Sequence, residues 1–151
     1  MIETRNFYTD GGWVAPRDGT DFPVYNPATG EAFATISLGG AADAEAAIAA
    51  ARRAFATWSM TTPAERGEVL RAILAVYEKR AQEMAEAIST EMGAPIDMAL
   101  SDQAGAGRGH LKAFIRALDA FEWEHPLRPG VEGQEMTYEP AGVAALITPW
   151  N

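Results

Sequence analysis

Residues 139–151, EPAGVAALITPWN, decide the fold class of this chain. Within them VAALI, residues 143–147, is a continuous apolar run of the kind found in parallel strands that helices bury on both faces. Such a strand needs strand partners, and no similar run occurs upstream. The stretch therefore predicts an α/β protein with a sheet that begins here and continues beyond residue 151.

The four residues after this run have the chemistry of a ligand site. The carboxyl end of a strand is where open α/β sheets place their ligands. Pro149 ends ladder pairing, Trp150 offers a flat apolar surface, and Asn151 offers a neutral amide donor suited to a developing oxyanion. Taken alone, the tetrapeptide favours the simpler alternative, in which Trp150 belongs to the core and Asn151 to a turn.

The middle of the chain has a helical period. DAEAAIAAARRAFATW predicts an amphipathic helix capped by Asp43. Thr62 and Glu65 have capping-box spacing, and Pro63 takes the first position of a second helix. We expect a buried stripe on that second helix, formed by Val69, Leu70, Ile73, Leu74 and Tyr77.

Two more helical stretches follow. AQEMAEAISTEM ends at Gly93, and residues 95–123 carry apolar side chains at helical spacing. The sequence GAGRGH lies within the second stretch and no strand precedes it, so close helix packing explains its glycines better than a phosphate loop does.

Short strands with tight turns are predicted at the N-terminus. NFYTDGGWV carries a hairpin signal at Asp-Gly-Gly. In FPVYNPATGEAFATISL, the segment NPATGE has the turn chemistry that connects two extended arms.

Composition narrows the class of function. There are 12 Lys and Arg against 21 Asp and Glu, a net charge of -9, which disfavours nucleic acid and anionic membranes as partners. Neither a secretory leader nor a membrane span is recognisable, so we expect a cytoplasmic protein. The chain has no Cys, and His110 and His125 lack metal-ligand spacing, so we predict no metal site.

An ordered set of motifs resembles the N-terminal third of NAD(P)-dependent aldehyde dehydrogenases: GGWV, YNPATGE, DAEAAIAAARRAFATW, PAERGEVLRAIL, EMGAP and EPAGVAALITPWN. The resemblance implies a three-part fold, represented here by helices, N-terminal β-hairpins and an incomplete Rossmann-like parallel sheet. Residues 1–124 would begin the cofactor-binding domain, residues 125–141 the first arm of the oligomerisation strands, and residues 142–151 the first buried strand of the cofactor-binding sheet.

The resemblance also implies site residues. Asn151 matches the family's asparagine that helps to stabilise the thiohemiacetal oxyanion, and Ile147, Thr148, Pro149 and Trp150 match the segment that lines NAD or NADP. The catalytic Cys and Glu would lie downstream. We therefore expect a fragment, inactive alone, of an enzyme that oxidises a small-molecule aldehyde as a homodimer or homotetramer.

Two alternatives stay open. One is a split enzyme, in which a separate chain supplies the Cys and the Glu. The other is a non-catalytic helical interaction domain with incidental similarity to the family.

Overall fold

The computed structural model of the protein describes residues 2–130 and 132–148. Its strands are β1 Ile2–Thr4, β2 Phe7–Thr9, β3 Gly12–Val14, β4 Thr20–Tyr25, β5 Ala32–Leu38, β6 Glu124–Pro126 and β7 Glu135–Thr137. Its helices are α1 Ala41–Trp58, α2 Pro63–Lys79, α3 Ala81–Met92, the short turn α4 Ile96–Met98, a π-helical turn Ala99–Ala104, and α5 Gly105–Ala120. These elements confirm the α/β class.

Both predicted N-terminal hairpins are present. β2 and β3 pair antiparallel around Asp10 and Gly11, which both have positive φ, as a tight two-residue turn requires. β4 and β5 pair antiparallel across a turn in which the Asn26 side chain accepts a hydrogen bond from the Ala28 amide at 2.9 Å. The sequence did not reveal that β1 adds to β5 in parallel.

Helix α1 begins two residues before the predicted cap. Asp43 lies inside the helix, where its carboxylate accepts hydrogen bonds from the amides of Gly40 at 3.0 Å and Arg17 at 2.9 Å. These bonds hold the pKa of Asp43 below its ordinary value, the bond from Arg17 contributing most. Asp43 therefore ties the N-terminal strands to α1 and does not occupy the cap position.

Helix α2 begins as its sequence predicts. The Thr62 hydroxyl accepts a hydrogen bond from the Glu65 amide at 3.2 Å, and the Glu65 carboxylate accepts one from the Thr62 amide at 2.7 Å. Pro63 is the first helical residue. This reciprocal capping box satisfies two backbone donors that the helix leaves open.

Helix α3 ends at Gly93, which takes the left-handed conformation expected of a C-terminal glycine. After α4, the π-helical turn leads directly into α5, so the glycines of GAGRGH lie in a helix. Gly107 packs against the Tyr77 ring, and the Tyr77 hydroxyl donates a hydrogen bond to the Ala104 carbonyl at 2.9 Å. Close packing, as predicted, explains this glycine.

Helices α2 and α5 are also joined by ion pairs. The Arg71 guanidinium lies 2.7 Å from the Asp119 carboxylate, and the Lys112 ammonium lies 2.7 Å from the Glu78 carboxylate. The side chains are partly exposed, so each pair contributes modestly to stability.

The buried core of the described residues is made mainly of small side chains. Ala85, Ala94, Ala99 and Ala104 form one cluster between α3 and the π-helical turn, and no large side chain in the described part is fully buried. The predicted buried stripe of α2 is wrong in part. Val69 and Ile73 are exposed because nothing in the described chain covers that side of the helix.

The described residues 142–148 form no strand, although a buried strand was predicted there. Their side chains are exposed. A strand leaves its backbone groups unsatisfied until a neighbouring strand pairs with it, and the described chain brings no neighbour to this segment. The assignment of residues 142–151 to a cofactor-binding sheet stays a prediction.

Candidate functional site

The segment that carries the predicted site leaves the helical part of the molecule at Tyr138. The Tyr138 amide donates a hydrogen bond to the Trp123 carbonyl at 3.1 Å, next to the β6–β7 hairpin. The Tyr138 ring packs edge-on against Phe121 with centroids 5.0 Å apart, and Phe121 packs on Trp123 at 4.8 Å. These contacts fix where the segment starts.

Of the predicted site residues, the structure describes Ile147 and Thr148. Leu146 and Ile147 are 91% and 92% exposed, and Thr148 is exposed as well. Pro149, Trp150 and Asn151 lie outside the described residues. What the described part of the site offers is an apolar side chain and a hydroxyl at the surface.

Trp123 is the residue near this segment that sequence reasoning passed over. Its indole nitrogen is buried and finds no hydrogen-bond partner among the described residues, while the Arg66 guanidinium lies 5.5 Å from its ring centroid. A buried indole N–H usually has a partner. The sequence signal for Trp123 was that aromatic residues, Phe121, Trp123 and Tyr138, stand at the end of α5 and at the start of the segment that carries the predicted site.

The shifted titratable groups of the described chain belong to caps and ion pairs. The Lys112 ammonium lowers the pKa of Glu78 by hydrogen bonding, and the Asp119 carboxylate raises the pKa of Arg71 in the same way. The charged forms of Glu78 and Arg71 are each stabilised by a partner on the neighbouring helix α5. The shifts thus have structural causes, namely hydrogen bonds and charges within these caps and ion pairs.

The described residues form neither a metal-ligand cluster nor a membrane-spanning helix. No group of three or more His, Asp or Glu side chains there is placed to hold a metal ion. Within the same residues, none of the helices combines the length and apolar character needed to cross a bilayer.

Comparison with known proteins identifies the family. The model of the aldehyde dehydrogenase family matches residues 13–151. The chain belongs to the aldehyde dehydrogenase family. It is 41% identical over 152 aligned positions to a 3-succinoylsemialdehyde-pyridine dehydrogenase from a Pseudomonas species, covering 100% of this chain and 31% of that protein.

Solved structures place the fold in the same family. The chain is similar to an aldehyde dehydrogenase from Bartonella henselae, with a TM-score of 0.86 and 47% identity over 87% of this chain and 28% of that one. It is also similar to aldehyde dehydrogenase C of Pseudomonas syringae, solved with NAD+ and octanal, with a TM-score of 0.80 and 39% identity over 86% and 26% of the two chains. The chain thus spans under a third of each of these relatives.

Proposed function

We propose that this chain contributes the N-terminal part of an NAD(P)-dependent aldehyde dehydrogenase, which oxidises a small-molecule aldehyde to a carboxylic acid. The observation that carries the proposal is the family match over residues 13–151, which ends on the Thr-Pro-Trp-Asn segment. Family membership also argues against an unrelated helical interaction domain. The catalytic Cys comes from polypeptide outside these residues, because the chain contains no Cys. The family resemblance places the catalytic Glu there as well.

Asn151 is proposed to act on the oxyanion. When a Cys thiolate attacks the aldehyde carbonyl, negative charge develops on the oxygen, and the Asn151 amide donates a hydrogen bond to it. The donor is neutral, so it stabilises the oxyanion without holding it once the carbonyl forms again. With NAD or NADP bound to accept the hydride that leaves the carbon as the oxyanion collapses, the Cys would be left as a thioester, and a Glu-activated water would hydrolyse it to the carboxylic acid and the free thiolate.

Ile147, Thr148, Pro149 and Trp150 are proposed to line the cofactor. Bound NAD or NADP supplies a hydride acceptor. The described residues fit this role, since Ile147 presents an apolar surface and Thr148 a hydroxyl, and both are exposed. Apolar walls with a few polar groups are the usual lining of cofactor sites.

The proposed domain assignment follows the same order. Residues 1–124 and 142–151 contribute to the cofactor-binding domain, and residues 125–141 to oligomerisation strands of a homodimer or homotetramer. Support comes from the β6–β7 pair, a two-stranded antiparallel sheet with exposed residues at its edges. Sedimentation of the active enzyme, with and without charged substitutions in β7, tests the assignment.

A chimera tests the proposed function. This chain is joined after Asn151 to the part of the Pseudomonas 3-succinoylsemialdehyde-pyridine dehydrogenase that follows its aligned stretch. We expect aldehyde-dependent reduction of NAD or NADP, measured with aliphatic, aromatic and semialdehyde substrates. In this chimera Asn151→Ala should lower kcat by roughly two to three orders of magnitude, since loss of one oxyanion donor costs about 2.7–4 kcal/mol.

The matched control is Asn6→Ala, the same chemical change at an exposed position far along the chain from the proposed site. It should leave kcat unchanged. An Asn151→Ala chimera with wild-type kcat would remove the oxyanion assignment, and a folded chimera inactive on every aldehyde would remove the proposed function.

The coding sequence after the Asn151 codon separates a continuous enzyme from a split one. An open frame that leads to a Cys in an active-site context supports a single polypeptide. A stop codon supports a partner chain that carries the thiol.

A further inference from the structure

Tyr138 holds the start of the segment that carries the predicted site. Its amide donates a hydrogen bond to the Trp123 carbonyl at 3.1 Å, one position beyond the pair that Glu124 and Thr137 form between β6 and β7. Its ring packs edge-on against Phe121, the residue that ends α5, with centroids 5.0 Å apart. The backbone and the side chain thus fix Tyr138 through two separate contacts.

The segment after Tyr138 has no further attachment among the described residues. Within residues 139–148, no group makes a hydrogen bond, an ion pair or a ring contact with the rest of the described chain, and the side chains are exposed. Tyr138 is therefore the last described position at which the path of the segment is fixed.

The residues directly after Tyr138 transmit its direction along the chain. Pro140 has a fixed φ, and a residue that precedes a proline is confined to extended conformations, so Glu139 and Pro140 form a stiff joint. Gly142 has a φ of 124°, which L side chains rarely adopt, so the bend before the apolar run depends on this glycine. A displacement at Tyr138 therefore displaces the residues that follow.

We propose that Tyr138 is a positioning residue for Asn151, the proposed oxyanion donor. It acts through the chain, because its ring and its amide fix where the segment of residues 139–151 starts and in which direction the segment leaves α5. This inference rests on the proposed function, since the effect of Tyr138 on the reaction passes through the amide of Asn151.

The position of an oxyanion donor has a strong effect on the rate. A donor is effective at about 2.7–3.1 Å from the oxyanion. A misplacement of about 1 Å can cost about 10²-fold in rate. Loss of the Tyr138 ring leaves the Asn151 amide in the protein but loosens the start of its segment, so the rate should fall by less than it does when the amide itself is removed.

The chimera described above provides the test. Tyr138→Ala should lower kcat per folded molecule by about tenfold and change the KM for the aldehyde by less than about threefold, because the ring does not bind the substrate. Tyr138→Phe keeps the ring and should restore kcat to within about twofold. The matched control is Tyr8→Ala, which removes a similar edge-on contact, with Trp13 at 5.3 Å, and should leave kcat unchanged.

A double-mutant cycle separates a positioning role from a purely structural one. If Tyr138 acts through Asn151, Tyr138→Ala should lower the residual kcat of the Asn151→Ala chimera by less than about twofold, since no donor is left to displace. A structural defect would lower kcat by the same factor in both backgrounds. Equal factors would overturn the proposal. A kcat that Tyr138→Ala leaves unchanged would also overturn it, because Asn151 would then be positioned without the ring.

A second variant covers the case in which the Tyr138→Ala chimera does not fold. Phe121→Leu weakens the same ring contact from α5 and leaves the sequence of the segment unchanged. It should lower kcat by about threefold when Asn151 is present and by less than about 1.5-fold in the Asn151→Ala chimera. Equal factors in the two backgrounds would overturn the proposal here as well.

Hydrogen exchange followed by mass spectrometry reports the anchor without enzyme activity. In the chimera, Tyr138→Ala should speed exchange of the peptide that contains position 138 by at least about threefold, because that amide then opens more often, and Tyr138→Phe should not. Unchanged exchange in Tyr138→Ala would overturn the proposal.

Positioning and function fail separately in this design. A folded chimera that is inactive on every aldehyde, yet exchanges faster in Tyr138→Ala, removes the proposed function and with it the role of Tyr138 in the reaction. An active chimera whose kcat does not respond to Tyr138→Ala removes the positioning role alone.

Discussion

Two apolar parts of this chain differ in what they need in order to fold. Helices α2 to α5 satisfy their backbone hydrogen bonds internally and pack on one another through small residues such as Ala99. Residues 143–147 are just as apolar, yet Leu146 and Ile147 are almost fully exposed and form no strand. Apolar content therefore does not by itself decide which segment is ordered. The decisive factor is whether the described chain supplies a partner for the segment.

In what they need in order to fold, the N-terminal hairpins lie between the helices and residues 143–147. β4 finds its partner β5 across a turn at Asn26, so the strand pairs within the described chain. A strand whose partner lies close in the chain closes only a short loop when it pairs, so its pairing costs less chain entropy than pairing with a distant strand does.

The largest effect should come from the one large side chain that is buried among the described helices. Ile115 is 9% exposed and its neighbour Phe114 is 68% exposed, both in α5. Ile115→Ala should lower the free energy of unfolding by about 2–5 kcal/mol, the usual cost of a cavity in a core. Phe114→Ala should lower it by less than about 1 kcal/mol. Chemical denaturation of the two variants measures both losses. Equal losses of unfolding free energy would contradict the burial of Ile115 and the exposure of Phe114 in α5.

A smaller effect is expected where α5 meets α2. A Cβ at Gly107 would collide with the Tyr77 hydroxyl and lie 2.9 Å from its ring carbon Cζ, whereas a Cβ at Gly109 meets nothing within 4 Å. Gly107→Ala should therefore destabilise the chain by about 1–3 kcal/mol through overpacking. Gly109→Ala should stabilise it by about 0.5–1 kcal/mol through helix propensity.

Tyr77→Phe separates the two contributions at this contact. It removes the hydrogen bond to the Ala104 carbonyl and should cost about 1 kcal/mol. In a double-mutant cycle, Gly107→Ala should cost less in the Tyr77→Phe background, because the hydroxyl that it collides with is gone. If the losses of unfolding free energy in Gly107→Ala and Tyr77→Phe were additive, the Tyr77 hydroxyl would not be the source of the strain in Gly107→Ala.

The cap of α2 should contribute about 1 kcal/mol. Thr62→Ala removes the hydroxyl that accepts from the Glu65 amide and should lower the melting temperature of the helical part accordingly. Thr62→Ser keeps that oxygen and should restore most of the loss. Thermal melts followed by circular dichroism compare the two, and similar losses would exclude the hydroxyl as the cause.

Acid should weaken the same cap. Hydrogen bonds from Thr62, first from its amide and then from its hydroxyl, lower the pKa of Glu65 below its ordinary value. The folded state thus binds this proton less readily than the unfolded state does, so the stabilisation is complete above the ordinary glutamate pKa and is lost as the pH falls through the lowered one. Glu65→Gln should flatten the decline in melting temperature over that acid range. An unchanged slope would contradict the role of Glu65.

The smallest effect is expected at the end of the described chain. Leu146→Asp should change the stability of the 151-residue chain by less than about 0.5 kcal/mol, because its side chain already lies in water. In the chimera, the same change should be strongly destabilising, since a carboxylate would enter an apolar strand. A loss in the isolated chain as large as that of Ile115→Ala would abolish the contrast between the two regions.

Local signals in the sequence predicted most of the described fold. The capping box at Thr62, the left-handed Gly93 and the hairpin turn at Asp10 each depend on residues within a few positions of one another. Such features can be predicted from the sequence because the residues that interact are close in the chain. The start of α1 was placed wrongly because Gly40 takes the cap position and Asp43, the third helical residue, accepts a hydrogen bond from its amide.

The sequence alone therefore determined the helices, the turns and the membership of the aldehyde dehydrogenase family, which short motifs carry. Tertiary structure decided the parallel addition of β1 to β5, the Tyr77 contact beneath Gly107, and the exposure of the Val69 and Val76 face. The physical reason is burial. A periodic pattern shows which face of a helix can be covered, and only the three-dimensional arrangement of distant segments shows which face is covered.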